Sequence, residues 1–257
     1  MAVDGASGEA TTSFQCNLCG EHNTVAAARL QREVSSCRRC LSTVRFRSVA
    51  HLVVREVIGG DRTLREIGAH RNIRGVGLSD ANAYARPLAT HFDYTNTFFD
   101  VEPRLDITNV PRSWAGRYRF VIASDVFEHV APPVSRAFAG ARTLLADDGV
   151  LILTVPFHLD TETIEHYPNL HRFRIDGHGA DAILHNVTSD GRHERYTNLT
   201  FHGGTGATLE MRHFSRAGLE RELAVAGFSR VTFCGERCER FGVVWPEPWS
   251  VPIVARP

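Results

Sequence analysis

The apolar positions of this chain change period several times, and each change marks an element. Val49, Leu52, Val53 and Val57 recur at helical spacing in SVAHLVVREVIGG, and Gly59–Gly60 stops the pattern, which predicts a helix from Ser48 onward. Strands are predicted at Ile73–Leu78, Tyr94–Phe99 and, briefly, Arg104–Ile107. Helices are predicted at Asn82–His91 and Val134–Leu145. Phe120–Ser124 and Gly149–Pro156 are continuous apolar runs of strand length. Such runs, alternating with helices, indicate a mostly parallel sheet covered on both faces, a Rossmann-like α/β fold. Residues 158–212 break this rhythm. They are rich in His, Gly, Asn and Thr and too long for a plain connection, so they form an insertion. A helix at Ser215–Ala226 and strands at Phe228–Phe233 and Trp249–Ala255 close the chain.

The 257 residues suit one large domain plus a small module: a disordered tail at 1–13, a cysteine-bearing unit at 14–47, and a main domain at 48–257. The formal net charge is zero, so the chain as a whole does not advertise a polyanionic partner. All 29 basic residues are Arg, which excludes Schiff-base lysines, a P-loop lysine and Ser–Lys nucleophile pairs. The N-terminus has no signal-peptide pattern, and no apolar run is long enough to span a membrane. The expectation is a cytoplasmic protein with no membrane partner.

Cys16-Asn-Leu-Cys19 and Cys37-Arg-Arg-Cys40 are CxxC pairs separated by 17 residues, the spacing of a four-thiolate zinc site. Four protein ligands leave the ion no open position, so Zn²⁺ here is expected to be structural. Seven Arg (Arg29, Arg32, Arg38, Arg39, Arg45, Arg47 and Arg55) make the region basic, which keeps a nucleic-acid partner open beside a solvated or docking face. Cys234 and Cys238 have the wrong spacing for a second knuckle.

The most informative stretch is Phe120-Val-Ile-Ala-Ser-Asp-Val-Phe-Glu-His-Val130, followed by a helix and then DDGVLILTVPF. It resembles the fourth and fifth strands of class I S-adenosylmethionine (SAM)-dependent methyltransferases, and MRHFSRAGLERELAVAGFSRVTF resembles that family's last crossover. The resemblance implies a SAM-dependent methyltransferase. Its glycine motif would be Arg74-Gly-Val-Gly-Leu-Ser-Asp80, with Gly75, Gly77, Ser79 and Asp80 at the cofactor. This motif has two glycines and its acid afterwards, where the family usually has an acid and then G-x-G-x-G. By the same resemblance Glu102 or Asp100 holds the ribose hydroxyls, Asp106 and Ile107 meet the adenine, and Ser124, Asp125 and Val126 line the methionine end. Independently, ligands of open α/β sheets bind at strand carboxyl ends, where Asp80, Glu102, Asp106 and Asp125 are expected.

Asp125, Glu128 and His129 stand at D-x-x-E-H spacing. Glu128 and His129 could shape the loop over the cofactor, His129 could serve as general base, or the set could hold a divalent ion. The insertion carries His158, His166, His171, His178, His185, His193 and His202, of which His166, in the cluster Glu165-His166-Tyr167 with His171, could supply a base or help bind a metal. Phe201–Glu210 is a glycine-rich candidate lid. The expected partner is a small-molecule or sugar-type acceptor methylated on oxygen. The alternatives are RNA, or a non-catalytic binding protein on the same fold, and a homodimer is left open.

Overall fold

The computed structural model describes residues 10–202 and 208–257; the centre of the glycine-rich loop lies outside these. A hairpin opens the described chain, β1 (Thr11–Gln15) pairing antiparallel with β2 (His22–Ala26). Helix α1 (Val44–Val57) is capped by the Thr43 hydroxyl, which accepts from the Phe46 amide at 3.3 Å. A single turn follows, α2 (Leu64–Ile67), then β3 (His70–Leu78), α3 (Asn82–His91), β4 (Phe92–Thr97), β5 (Tyr118–Ser124), α4 (Ser135–Leu144) and β6 (Leu145–Thr154). The strand expected at Arg104–Ile107 is instead a turn with one bridge between Arg104 and Phe98. The two apolar residues in that run, Leu105 and Ile107, are too few to outcompete the Asp106 side chain, which accepts from the Thr108 amide at 2.9 Å and turns the backbone.

The insertion contains short strands: β7 (Phe157–His158), β8 (Ile164–Glu165), β9 (Arg172–Asp176), β10 (Ile183–Val187), β11 (His193–Tyr196), β12 (Phe201–His202) and β13 (Thr208–Leu209). Strand β14 (Arg212–Ser215) leads into α5 (Arg216–Val225), and β15 (Arg230–Phe233) and β16 (Ile253–Arg256) finish the chain. Strands β9–β11 form their own antiparallel sheet, while β14 pairs with both β7 and β8 and ties the insertion to the main domain.

The central sheet has the order β15-β16-β6-β5-β3-β4. Strands β4, β3, β5 and β6 are parallel, and β16 is antiparallel to both its neighbours. Helices α1 and α3 pack together, as do α4 and α5, giving two helical layers over the sheet. This is the Rossmann-like α/β arrangement, with mostly parallel central strands. Because β3 has β4 on one side and β5 on the other, the winding direction reverses there. The crevice for a ligand therefore lies outside the carboxyl ends of β3 and β5, at Leu78 and Ser124.

The small module is locked to this frame by Arg47 of α1, which is fully buried. Its guanidinium donates to the carbonyls of Phe241 (2.8 Å), Gly242 (2.9 Å) and Ser42 (2.9 Å) and lies 4.4 Å from the centre of the Phe14 ring. Removing it strands three buried carbonyls, each worth about 1–3 kcal/mol. Arg47→Met is expected to lower unfolding stability by about 3 kcal/mol or more in urea titrations, whereas Met at the exposed Arg86 should change it by less than about 0.5 kcal/mol.

Candidate functional site

The two CxxC turns meet. Cys16 and Cys40 sulfurs are 3.6 Å apart, Cys19 and Cys37 likewise, and all four lie within 4.8 Å of one another with no disulfide. The turns are built alike, each closing with an amide-to-carbonyl bond four residues back, Gly20 to Cys16 and Leu41 to Cys37. Both closing residues take positive φ, +75° and +56°. The second turn thus places a leucine where the first has glycine, a strained position that the converging thiols enforce.

At the crevice, the glycine motif is packed by the protein itself. The Phe120 ring lies across Gly75, where a Cβ would come within 2.0 Å of it; at Gly77 a Cβ would meet the Asp80 carboxylate and the Tyr94 hydroxyl, also at 2.0 Å. Asp80 is buried, accepts from Tyr84 at 2.7 Å and from Tyr94, and is bracketed by the Asn96 amide. Burial pushes its carboxyl up to about 7, partly opposed by the tyrosine hydrogen bonds. Ser79, at φ +55°, is exposed at the strand end.

Asp125 also takes φ +55°, directly after β5. Its carboxylate receives both terminal nitrogens of Arg32 (2.5 and 2.9 Å) and the Thr154 hydroxyl (2.9 Å), with Arg45 Nε at 3.2 Å. Arg45 also donates to Ser124 (2.7 Å) and forks onto Glu33 (2.7 and 2.8 Å). Burial would raise the Asp125 carboxyl, but the Arg45 and Arg32 charges overcome it and hold it below the usual range. Ser124 and Asp125 are therefore gathered with two arginines that sequence reasoning counted only as part of a basic stretch. Nothing in their spacing from Asp125, 93 and 80 residues away, signals the contact. Of the seven arginines in that stretch, Arg47 is buried, Arg38 pairs with Glu21, Arg55 with Glu56, and Arg29 donates to the Ser35 carbonyl. Arg32, Arg45, Arg47 and Arg55 turn inward, while Arg29, Arg38 and Arg39 stay exposed.

The other cofactor candidates make no hydrogen bond to this knot among the described residues. Glu102 sits on an exposed turn and accepts from the Arg104 amide at 2.9 Å. Asp106 is turned onto Thr108, Ile107 is buried with its carbonyl against Gly140 of α4, and Val126 starts the turn after β5.

A second cluster joins the three catalytic candidates. Glu128 is 2 % exposed, and neither carboxylate oxygen has a partner among the described residues. Burial, with Asp125 nearby, pushes it well above the usual carboxyl range. His129 Nδ1 is 2.9 Å from the Leu209 carbonyl, and its Nε2 is 4.0 Å from Glu128. Burial lowers its pKa, so it is neutral near pH 7. Glu210 receives His166 and His202 at 2.7 Å each, and the His129 and His202 rings meet edge to face. Buried Arg212 holds this arrangement by donating to Glu165 and to the carbonyls of Phe127 and Val130, and the Met211 amide donates to the Glu128 carbonyl. The insertion is thus stitched onto the turn after β5. Glu210 and His202 bind the cluster together, although the sequence offered no spacing that singled them out. His158 faces His213 instead, and His171, His178, His185 and His193 lie on or beside the β9–β11 sheet.

No family model matches the sequence, and no curated protein does. Among solved structures, the PH0226 protein of Pyrococcus horikoshii OT3 superposes with a TM-score of 0.47 at 10% identity, covering 83% of this chain and 90% of that one. The sugar N-methyltransferase KedS8 of Streptoalloteichus gives 0.45 at 14%, covering 81% and 85%. The 1,6-didemethyltoxoflavin-N1-methyltransferase of Burkholderia thailandensis, solved with S-adenosylhomocysteine, gives 0.43 at 14%, covering 82% and 76%. These likenesses are loose, and any function rests on the residues themselves. Among the described residues no helix is long and apolar enough to cross a membrane.

Asp80 yields a pH test. Its folded pKa of about 7 stands above the unfolded value of about 3.9, so its contribution to stability is full below pH 4 and is lost as pH rises to about 7. Asp80→Asn does not titrate. Its melting temperature relative to the wild type should rise from pH 4 to pH 8; a difference independent of pH would refute the assignment.

Proposed function

We propose that the chain is a SAM-dependent methyltransferase acting on a hydroxyl of a small-molecule or sugar-type acceptor. The observation that carries this is the Asp125–Arg32–Arg45 knot at the switch point of the sheet. A carboxylate beside two guanidinium groups is the complement of an amino-acid zwitterion: with the Asp125–arginine pairing exchanged for the ligand, Asp125 suits the ammonium group, and Arg32 and Arg45 suit the carboxylate. The methionine end of the cofactor has that chemistry, and the donor set fits it. Ser79, Glu102 and Asp106 would serve the adenosyl end.

The cofactor, when bound, supplies a methyl group already activated on a sulfonium. What remains for the protein is to align the acceptor oxygen and take its proton. His166 suits the second task. Its Nε2 faces Glu210, which leaves Nδ1 as the basic nitrogen, and its side chain is 29% exposed. Glu128, His129 and His202 line the same cluster, whose many acceptors suit a polyhydroxylated ligand.

Zn²⁺ held by Cys16, Cys19, Cys37 and Cys40 would set the loop between the two CxxC turns, and that loop delivers Arg32 to Asp125. Zinc here is structural, yet cofactor affinity depends on it. The inward use of most of the arginines speaks against the module as an RNA reader. The packed glycine motif favours one other reading, a binding protein that has lost catalysis.

Calorimetric titration with SAM and S-adenosylhomocysteine tests the proposal. Micromolar binding is expected, and Arg32→Gln or Asp125→Asn should each weaken it by about 10–100-fold, the worth of a charge-assisted hydrogen bond. Absence of binding to zinc-replete protein would favour the non-catalytic reading. Glu102→Ala and Asp106→Ala should also weaken binding; wild-type affinity in both would remove them from the site. Cys37→Ser should lose one equivalent of zinc by elemental analysis and weaken cofactor binding with it. His166→Ala should lower kcat by about 10²–10⁴ with little change in cofactor affinity.

A further inference from the structure

Two acceptors face each other at the heart of the second cluster. The Leu209 carbonyl can only accept, so the His129 Nδ1 that lies 2.9 Å from it carries the proton. That leaves a bare lone pair on His129 Nε2, 4.0 Å from Glu128 Oε1. Glu128 is 2% exposed, and neither of its oxygens receives a hydrogen bond among the described residues. The neighbouring arginines make their hydrogen bonds elsewhere: Arg32 and Arg45 with Asp125 and Glu33, and Arg212 through Nε and Nη1 with Glu165 and two carbonyls, its Nη2 reaching no acceptor among the described residues. His202 repeats the pattern. Its Nε2 lies 2.7 Å from Glu210, leaving Nδ1 without a partner among the described residues. A buried carboxyl group that no neighbouring side chain donates to, and two imidazole lone pairs beside it, form a donor set suited to a cation.

We propose that Glu128, His129 and His202 bind a divalent first-row transition-metal ion, with Glu210 as the outer carboxylate that orients His202. One donor atom from each of the three residues lies within 4.8 Å of the other two. Two donors on one such ion are at most about 4.4 Å apart, so only small side-chain shifts are needed. Each imidazole has its far nitrogen fixed, one by a carbonyl and one by a carboxylate, which is how metal-binding histidines are held. Two nitrogens with a carboxylate select Mn²⁺, Fe²⁺ or Zn²⁺ over Mg²⁺ or Ca²⁺, which prefer oxygen. Asp125, the acid at the head of the D-x-x-E-H spacing, is not a ligand, because its oxygens are taken by Arg32, Arg45 and Thr154. Three protein ligands leave coordination positions open. If the methyltransferase proposal holds, the acceptor hydroxyl fills one of them, is acidified there, and gives its proton to His166.

The metal arm stands without the cofactor. The probe is Mn²⁺, too hard an ion to compete for the four thiols. Titrated into zinc-replete full-length protein and followed by the loss of the free-ion electron paramagnetic resonance signal, it is expected to bind one equivalent with micromolar affinity. Glu128→Gln and His202→Ala should each weaken binding more than tenfold, and Glu210→Gln by about 10–100-fold. His185→Ala, in the insertion but outside the cluster, should leave it unchanged. If Glu128→Gln does not fold, as judged by circular dichroism, the more exposed His202 decides the question. No Mn²⁺ binding, or wild-type affinity in the His202 variant, overturns the site. SAM binding measured separately shows whether the methyltransferase reading fails or stands independently of this result.

Discussion

The ion knot at Asp125 is the constraint on which the rest of the site depends. Asp125 is forced into the left-handed region by the turn that ends β5, so its carboxylate has nowhere to go but the mouth of the sheet. A carboxylate there, half removed from water, must be matched by positive charge. The match comes from Arg32, on the loop between the two cysteine pairs, and Arg45, at the start of α1. The cysteine module is therefore part of the crevice. Arg47 on the same helix fastens the module to the C-terminal segment through the Phe241 and Gly242 carbonyls, while also holding the Ser42 carbonyl within the module.

The insertion meets the same turn from the other side. Arg212 ties β14 to the carbonyls of Phe127 and Val130, and the Met211 amide reaches the Glu128 carbonyl. Glu128 and His129 are thereby enclosed, and the insertion adds His166, His202 and Glu210 around them. Two clusters of opposite character flank one turn: cation-rich at Asp125, cation-poor at Glu128. The first fits a zwitterion. In the second, Glu128 receives no donor among the described residues, and the proposed metal would complete it.

The sheet and its helices were legible because continuous apolar runs of strand length and apolar positions at helical spacing carry their own explanation. The Phe120–Ser124 strand and the Asn82–His91 helix emerged almost as expected. The two CxxC pairs were legible because the geometry of a knuckle turn is local. Gly75 and Gly77 show the limit of such reasoning. Both were expected to clear space for a ligand, yet each has a packing reason of its own, Phe120 at one and the Asp80–Tyr94 pair at the other. A glycine in the sequence announces a close approach but does not say what approaches.

Composition and spacing by themselves determined a Rossmann-like α/β domain, a four-cysteine module and an irregular, histidine-rich insertion, since each of these is written in contacts between near neighbours along the chain. Tertiary structure alone decided that Arg32 and Arg45 face Asp125, that most of a basic stretch turns inward, and that Glu210 links His166 to His202. Those partners are 93, 80, 44 and 8 residues apart in sequence. Charge pairing between groups so placed depends on which loops the folded sheet brings to its carboxyl edge, and no local period encodes that.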